Sequence, residues 1–262
     1  MLLKIVCFIL FTVPLCALYN GNPSLPDMPE RGLWAAGDEW WGIKIGYELD
    51  STFSKRVKIK ERQSSVKDLF DQYKSSKQLG VFTFNIIDRF EIYGLLGAMK
   101  LKMAQRPVQN VRLEYETDSQ MIWGIGGRVV LVYWEEVIMG FNARYNAAHL
   151  DLDRVIQNGV PRNPHGASMH YHEWQIGASF SREVGRLIPY VGLAYASMSS
   201  CLKSLPNSSA FTFNPDEEEL QNRNPFILLI GVGMTGGKVL NLNLETRMIG
   251  EVSLTVSTDL RF

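Results

Sequence analysis

The last twelve residues of the chain alternate between apolar and polar side chains. Even positions from Val252 to Phe262 are apolar or Thr, and odd positions from Glu251 to Arg261 are polar or charged. Successive side chains of a strand point to opposite faces, so the pattern predicts a strand with one apolar and one polar face. Its length exceeds the ~9–11 residues that a tilted strand needs to cross a hydrocarbon layer. Such a strand is typical of an outer-membrane β-barrel, which is apolar outside and polar inside.

Similar alternation recurs along the chain and predicts strand pairs joined by tight turns, with long polar loops between the pairs. Short turns at one end and long loops at the other are typical of membrane barrels. The sequence therefore predicts an all-β fold, an antiparallel transmembrane β-barrel of about ten strands. Twelve strands are the alternative, if residues 108–116 or 50–60 pair separately. The ten predicted strands are residues 39–60, 78–88, 90–103, 120–133, 137–149, 170–183, 187–198, 224–235, 238–248 and 251–262.

One segment breaks the alternation. Val66, Leu69, Phe70 and Tyr73 fall at helical spacing within residues 63–77. This spacing predicts a short amphipathic helix in a loop, at the barrel rim or folded into the lumen.

The first seventeen residues predict a signal peptide. Lys4 supplies a positive charge, an apolar run follows, and Ala17 is a small residue at a cleavage position. The apolar run is too short for a membrane helix, and its flanks suit secretion. Cys16 leaves lipidation as an alternative, although Leu15 is not the small residue that normally precedes an acylated cysteine.

The remaining chain divides into two predicted parts. Residues 18–38 are rich in Pro, Gly and Asn and predict an extended periplasmic segment, and residues 39–262 form the barrel. The chain has 27 basic and 27 acidic residues, so charge gives no argument for binding nucleic acid. Cys201 is the one cysteine outside the signal peptide, which excludes an internal disulfide in the mature chain.

Several strings resemble the chlamydial major outer membrane protein family, a family of porins. They run in the same order from end to end: Cys16-Ala17-Leu18, Gly46-Tyr47, Asp88-Arg89-Phe90, Tyr171-His172-Glu173-Trp174-Gln175, Pro189-Tyr190-Val191-Gly192, Glu245-Thr246-Arg247-Met248-Ile249 and Arg261-Phe262. The resemblance implies ion transport through a porin in the cell outer membrane of a Gram-negative-type envelope. Family members are longer and rich in cysteine, so their disulfide-linked structural role is not implied for this chain.

Nine charged side chains share the inner parity of the predicted strands and are the predicted pore-lining residues. They are Lys44, Glu48, Arg128, Arg144, Glu173, Glu245, Arg247, Asp259 and Arg261. Five are basic and four acidic, so strong ion selectivity is not expected, since that needs rings of one sign. The sequence thus favours passive diffusion of small solutes. A closed structural or adhesive barrel stays open as an alternative, because the side chains of a small barrel can fill its interior.

Other chemistry is weaker in the sequence. A hydrolytic site at the barrel mouth is an alternative raised by His149, Asp151, His170 and His172. However, His170 and His172 share the lipid-side parity of Trp174. No enzyme is therefore predicted. Two imidazoles without a nearby cysteine do not complete a metal site, so no metal or cofactor is predicted. A secreted soluble ligand-binding β-barrel is a further alternative. The predicted partners are outer-membrane lipid, small solutes, the outer-membrane assembly machinery, which the terminal Phe262 would engage, and a second copy in a homo-oligomer.

Overall fold

The computed structural model describes residues 19–27, 40–59, 70–108, 110–164, 166–203, 217–236 and 239–262, which are almost entirely antiparallel β structure. One 3-10 helix, Leu25–Asp27, precedes the strands in this part of the chain. The strands are β1 (Trp41–Lys55), β2 (Val57–Ile59), β3 (Phe70–Ile86), β4 (Phe90–Val108), β5 (Val111–Thr117), β6 (Gln120–Trp134), β7 (Val137–Gln157), β8 (Val160–Arg162), β9 (Ser168–Arg182), β10 (Leu187–Lys203), β11 (Glu217–Asn222), β12 (Phe226–Gly236), β13 (Leu240–Ile249) and β14 (Glu251–Arg261).

No helix among the described residues is long and apolar enough to cross a membrane.

Ten of these strands close into a barrel. The ring runs β1–β3–β4–β6–β7–β9–β10–β12–β13–β14, and β14 pairs with β1. Every neighbouring pair is antiparallel, and the pairing of β10 with β12 completes the ring. The predicted barrel of about ten strands is therefore confirmed. Because all its strands have partners on both sides, the barrel has no free edge within the membrane, where unpaired backbone groups are costly.

The other four strands lie at one end of the barrel. β5 and β11 continue the lines of β6 and β12 and pair with β4 and β10. β2 continues β1 and pairs with β11. The short β13–β14 hairpin ends below this level, so β13 and β14 take no part in the wall there. Residues 108–116 do pair, as the alternative count required, but they do so in this continuation, and the ring itself has ten strands. We call this the loop end, and the opposite end, where residues 87–89 and 135–136 form tight turns, the turn end.

The predicted helix at residues 63–77 is wrong where the structure describes it. Residues 70–77 belong to β3, which pairs with β4 along its whole length and with β1 from Ser75 onward. Buried Tyr73 and Lys77 alternate there with exposed Lys74 and Ser76. Two neighbouring strands supply backbone partners on both sides of β3, and this outweighs a weak helical spacing. Residues 60–69 lie outside the described residues.

The outer surface carries an apolar band between two aromatic girdles. Near the loop end, Trp123 contacts Tyr145 at a ring-centroid distance of 5.9 Å. Near the turn end, Trp41 stacks on Phe84 at 6.1 Å. Ten residues of β6 separate exposed Trp123 from exposed Tyr133, which at ~3.4 Å per residue and ~40° tilt span about 26 Å. This height matches the ~25 Å apolar band of outer-membrane barrels.

Above that band several strands reverse their polarity. In the band, β4 exposes Ile92 and Leu96 and buries Glu91; nearer the loop end it exposes Lys100 and buries Leu101. The same reversal occurs on β7, which exposes His149, Asp151 and Asp153 and buries Leu150 and Leu152. On β10, half-buried Ser197 and Ser199 alternate with buried Met198 and Leu202. The loop end therefore has a polar outside and an apolar inside, the arrangement expected of a barrel surrounded by water.

The inner row of β4 is apolar within the band as well. Its side chains from Tyr93 through Met99 to Met103 are at most 5% exposed and face the interior. Both rows of β4 contain apolar residues in the membrane band, so alternation alone does not decide which row faces lipid.

Candidate functional site

All nine predicted pore-lining side chains lie on the inner side of the barrel and are 0–8% exposed. Their inward direction follows from contacts that cross the lumen between strands that are not neighbours in the wall, such as Arg144 of β7 with Glu48 of β1. The structure thus agrees with the parity that selected them. Their role in lining an open channel stays a prediction.

Five further charged residues join them, and the sequence interpretation missed these: Asp50, Lys55, Lys77, Glu91 and Glu251. Glu251 shares the odd parity of Asp259 in β14, so the alternation of this strand already indicated that Glu251 faces the interior. Lys77 fell in the segment interpreted as a helix. Among the described residues, the buried charged set now holds seven cations and seven anions, so the interior is electrically balanced.

The first interior ion cluster centres on Arg247. Its Nη2 lies 2.8 Å from Asp50 Oδ1, and its Nε lies 3.3 Å from Glu245 Oε1. Thr255 Oγ1 donates to Asp50 Oδ1 at 3.0 Å. Arg247 and Asp50 are both fully buried. Two carboxylates and a hydroxyl around one guanidinium are the kind of surroundings that a buried charge requires.

A second cluster lies below the loop-end core and centres on Glu173. Lys55 and Lys77 both contact this carboxylate, Lys77 Nζ at 3.1 Å from Oε2, and Tyr171 donates its hydroxyl proton to it. Lys55 Nζ also lies 2.8 Å from Glu251 Oε2. Residues of β1, β3, β9 and β14 are thereby joined across the lumen.

Four more ion pairs lie toward the turn end. Arg144 Nη1 lies 3.0 Å from both carboxylate oxygens of Glu48. Glu91 pairs with two cations, Lys44 Nζ at 2.6 Å and Arg128 Nη1 at 3.2 Å. At the rim, Arg261 Nη2 lies 2.9 Å from Asp88 Oδ1.

The N-terminal segment also lies in this interior. Residues 18–38 were predicted to be an extended periplasmic segment, and their described part needs correction, because residues 19–26 are buried inside the barrel. Asn20 N and Gly21 N donate to Glu245 at 2.9 and 3.0 Å. Arg144 Nη1 donates to Tyr19 O at 3.4 Å. These contacts give partners to Asn20 N, Gly21 N and Tyr19 O and add one to the partners that Glu245 and Arg144 have in the wall, so segment and wall stabilise each other. Residues 1–18 and 28–39 lie outside the described residues.

The segment continues toward the turn end through contacts with three further strands. Ser24 Oγ lies 2.6 Å from Ser181 Oγ of β9, and Asn85 Nδ2 of β3 donates to Pro26 O at 2.6 Å. Lys44 Nζ of β1 donates to Leu25 O. The segment therefore occupies the lower lumen as a plug.

The loop end is filled differently, by an apolar core of nineteen buried residues that are 0–7% exposed. The core collects side chains from every strand that surrounds this level of the lumen. Its members are Val57, Tyr73, Leu79, Met99, Leu101, Met103, Leu113, Tyr115, Ile122, Ala148, Leu150, Leu152, Val155, Ala167, Met169, Tyr171, Met198, Leu202 and Leu220.

The histidines considered for hydrolysis lie on the outer face. His149 and His170 contact each other with ring centroids 4.5 Å apart, and His149 Nε2 is 3.4 Å from Asp151 Oδ1. His172 Nδ1 lies 2.8 Å from the Tyr145 hydroxyl, within the loop-end girdle. Among the described residues, no group of three or more His, Cys, Asp or Glu side chains is arranged to hold a metal ion.

The terminal residue completes the seam of the barrel. Phe262 N donates to Ile43 O of β1 at 2.8 Å, one residue beyond the Lys44–Arg261 pair. The C-terminal strand is thus bound to β1 over its whole length.

Comparison with known proteins gives weak, partial matches to porins. Over 141 residues the chain is 27% identical to a major outer membrane porin of Chlamydia pneumoniae, covering 41% of this chain and 36% of the relative. A major outer membrane porin of Chlamydia psittaci is 23% identical over 142 residues, covering 42% of this chain and 36% of the relative. The match thus spans about a third of the length of each relative. No family model matches the chain. These matches support a divergent relationship to the porins and nothing closer.

Solved outer-membrane barrels overlay on most of the chain at low similarity. The translocator domain of the autotransporter NalP from Neisseria meningitidis has a TM-score of 0.46 and 12% identity, covering 84% of this chain and 88% of that one. The outer membrane protease OmpT from Escherichia coli has a TM-score of 0.42 and 7% identity, covering 84% and 94%. The closed ring, the apolar band and the porin relatives together identify the protein as an outer-membrane β-barrel.

Proposed function

We propose that the protein is a closed outer-membrane barrel with a structural or adhesive role at the surface. The observation that carries the proposal is the burial of the interior along the whole barrel. The fourteen inner charged side chains are 0–8% exposed, and the nineteen residues of the loop-end core are 0–7% exposed. A water-filled lumen would leave its lining side chains in contact with water.

The two halves of the lumen are closed by different means. Toward the turn end, residues 19–26 occupy the space between the ion clusters. Toward the loop end, the apolar core packs across the lumen, with Leu101, Leu150 and Met169 at 0–1% exposure. A packed apolar core leaves few gaps larger than a water molecule. Release of the N-terminal segment alone would therefore leave the barrel closed.

The proposed orientation follows the usual arrangement of such barrels, with short turns in the periplasm and longer loops outside. The loop end, with polar outer residues such as Asp151 and Lys100, then extends into the external medium. We further propose that the outer-membrane assembly machinery recognises the C-terminal strand with Phe262. A homo-oligomer would form through the apolar band.

Passive diffusion of small solutes is the second candidate, and the names of the chlamydial relatives favour it. If the protein conducts, the nine predicted pore-lining residues line the path after the plug and the core rearrange. The balanced charge of the interior would give such a pore little ion selectivity.

Planar-bilayer recording separates the two candidates. Protein is first shown to be folded by heat-modifiable migration in detergent gels and then added to a lipid bilayer under voltage. We expect no current steps from the full barrel, and none after deletion of residues 19–27. Stepwise conductance by the unmodified protein would overturn the closed barrel and support passive diffusion.

A core variant and a matched control on the outer face make the test sharper. Leu101→Ser with Leu150→Ser places hydroxyls in the loop-end core, and combined with deletion of residues 19–27 it removes both closures. This combination is expected to conduct. The control, Lys100→Ser with Asp151→Ser, changes the neighbouring outward residues and should stay silent with the same deletion.

A further inference from the structure

The outer surface has an apolar groove on β1, β3, β4 and β6 within the membrane band. Its volume is about 530 Å³, within the range of ligand pockets. The groove lies below the loop-end girdle, because Trp123 belongs to both. Its walls include Ile45, Phe82, Leu96 and Trp123.

Two glycines form the floor of the groove. Gly80 is opposite Leu96, and Gly94 is opposite Phe82, so the two glycines are diagonal neighbours on β3 and β4. A Cβ added at Gly94 would meet nothing within 4 Å, and one at Gly80 would meet only Leu96 O at 3.5 Å. Packing within the protein therefore does not require glycine at either position. The absent side chains leave space for a group that comes from outside the chain.

A lysine cluster lies above the groove on the same two strands. Lys74 and Lys102 are directly opposite each other, and Lys100 is the next outward residue of β4. All three are exposed. Like charges opposite each other destabilise a sheet unless an anion lies between them.

The acidic neighbours of the cluster neutralise only part of it. Lys102 Nζ lies 2.7 Å from Glu116 Oε1, and exposed Asp118 follows at the junction of β5 and β6. Within the described chain, no ion pair joins Lys74 or Lys100 to an acidic side chain. The cluster therefore keeps a net positive charge.

The spacing of groove and cluster fits one elongated amphipathic ligand. Lys100 is four residues beyond Leu96 on β4, about 14 Å along the strand and roughly 10 Å higher at the usual tilt. Polar head groups occupy the layer just outside the hydrocarbon, and a lysine side chain can bend toward it. We propose that this face binds a lipid whose phosphate-bearing head group contacts the lysine cluster and whose acyl chain lies in the groove.

The test uses folded, detergent-solubilised protein and diphosphorylated lipid A, with binding measured by native mass spectrometry. Lys74→Gln with Lys100→Gln and Lys102→Gln should weaken binding at least tenfold, and so should Gly80→Leu with Gly94→Leu. The matched controls, Lys203→Gln and Ala178→Leu, change outward residues on β10 and β9 and should bind as the unmodified protein does. If a combined variant does not fold, Lys100→Gln and Gly94→Leu alone replace it, with at least a threefold loss expected.

Three results would overturn the proposal. One is unchanged lipid A affinity in both sets of variants. Another is equal affinity for phosphatidylcholine, whose head group has no net charge, since the lysines would then contribute nothing. The third is displacement of lipid A by millimolar inorganic phosphate, which would show that the lysines bind free phosphate and the groove takes no part.

Discussion

Removal of Arg247 tests whether the lumen is dry. Its guanidinium is fully buried and lies 2.8 Å from Asp50 and 3.3 Å from Glu245. Arg247→Leu therefore leaves two buried carboxylates without this partner. Breaking a buried ion pair from one side typically costs about 3–5 kcal/mol, whereas an ion pair in contact with water contributes about 0–1 kcal/mol. A closed barrel therefore predicts the larger loss, and a water-filled lumen predicts the smaller one.

The remaining partners of each residue predict an asymmetry. After Asp50→Asn, Arg247 keeps Glu245 and Thr255. After Arg247→Leu, Asp50 keeps Thr255 but its nearest remaining cation is Lys77 at 3.9 Å. We expect Arg247→Leu to cost more than Asp50→Asn by about 1–2 kcal/mol. The double variant should cost less than the sum of the single variants, because the two residues share one contact.

The assay is equilibrium unfolding in guanidinium in detergent micelles, followed by tryptophan fluorescence and by the fraction that migrates as folded protein in gels. Exposed Lys102→Gln, which breaks a surface pair with Glu116, is the control and should cost at most about 1 kcal/mol. A loss below 1 kcal/mol for Arg247→Leu would refute the dry interior and with it the closed barrel.

Further outcomes follow from the reversal of polarity and from close packing. Leu150→Ala in the loop-end core should lower the free energy of unfolding by about 2–5 kcal/mol, whereas Asp151→Ala on the outside should change it by at most about 0.5 kcal/mol in the same guanidinium titration. Gly126→Ala should destabilise the barrel because its Cβ would collide with the Tyr93 ring. Gly94→Ala should be neutral or stabilising because its Cβ meets nothing within 4 Å. Equal midpoints of guanidinium unfolding for the two variants would contradict this. In intact cells, a charged maleimide should label Asp151→Cys but not Gly94→Cys, and labelling of both would contradict the assigned membrane band.

The closing strand shows what alternation can predict. In β14 every apolar residue lies in the even row and every charge in the odd row, so both the strand and its inner face followed from the sequence. The same rule placed Arg247 and Glu245 inside, and it would have placed Glu251 there too. The partner of each charge could not be predicted, because Arg144 and Glu48 meet across the lumen from strands that are not neighbours.

Two features were beyond the reach of local patterns. β4 has apolar residues in both rows within the membrane band, so alternation alone does not show that the row containing Leu95 faces the interior. The position of the N-terminal segment depends on Glu245, which is 225 residues from Asn20 in the sequence. No periodicity in a Pro- and Gly-rich segment reports a contact over such a separation.

The reversal of polarity along the strands has a single physical cause. Burying apolar side chains stabilises a fold when the alternative is water, but lipid tails are as apolar as Leu. Within the band, an apolar interior would gain little over the surrounding lipid, so hydrogen bonds and ion pairs such as Arg247–Asp50 must hold the interior together. Above the band, water surrounds the wall, and Leu101 and Leu150 gain the full free energy of burial by facing inward. The level at which the inner ion clusters give way to the loop-end core therefore marks the membrane boundary from inside the barrel, and it coincides with the contact of Trp123 with Tyr145 outside.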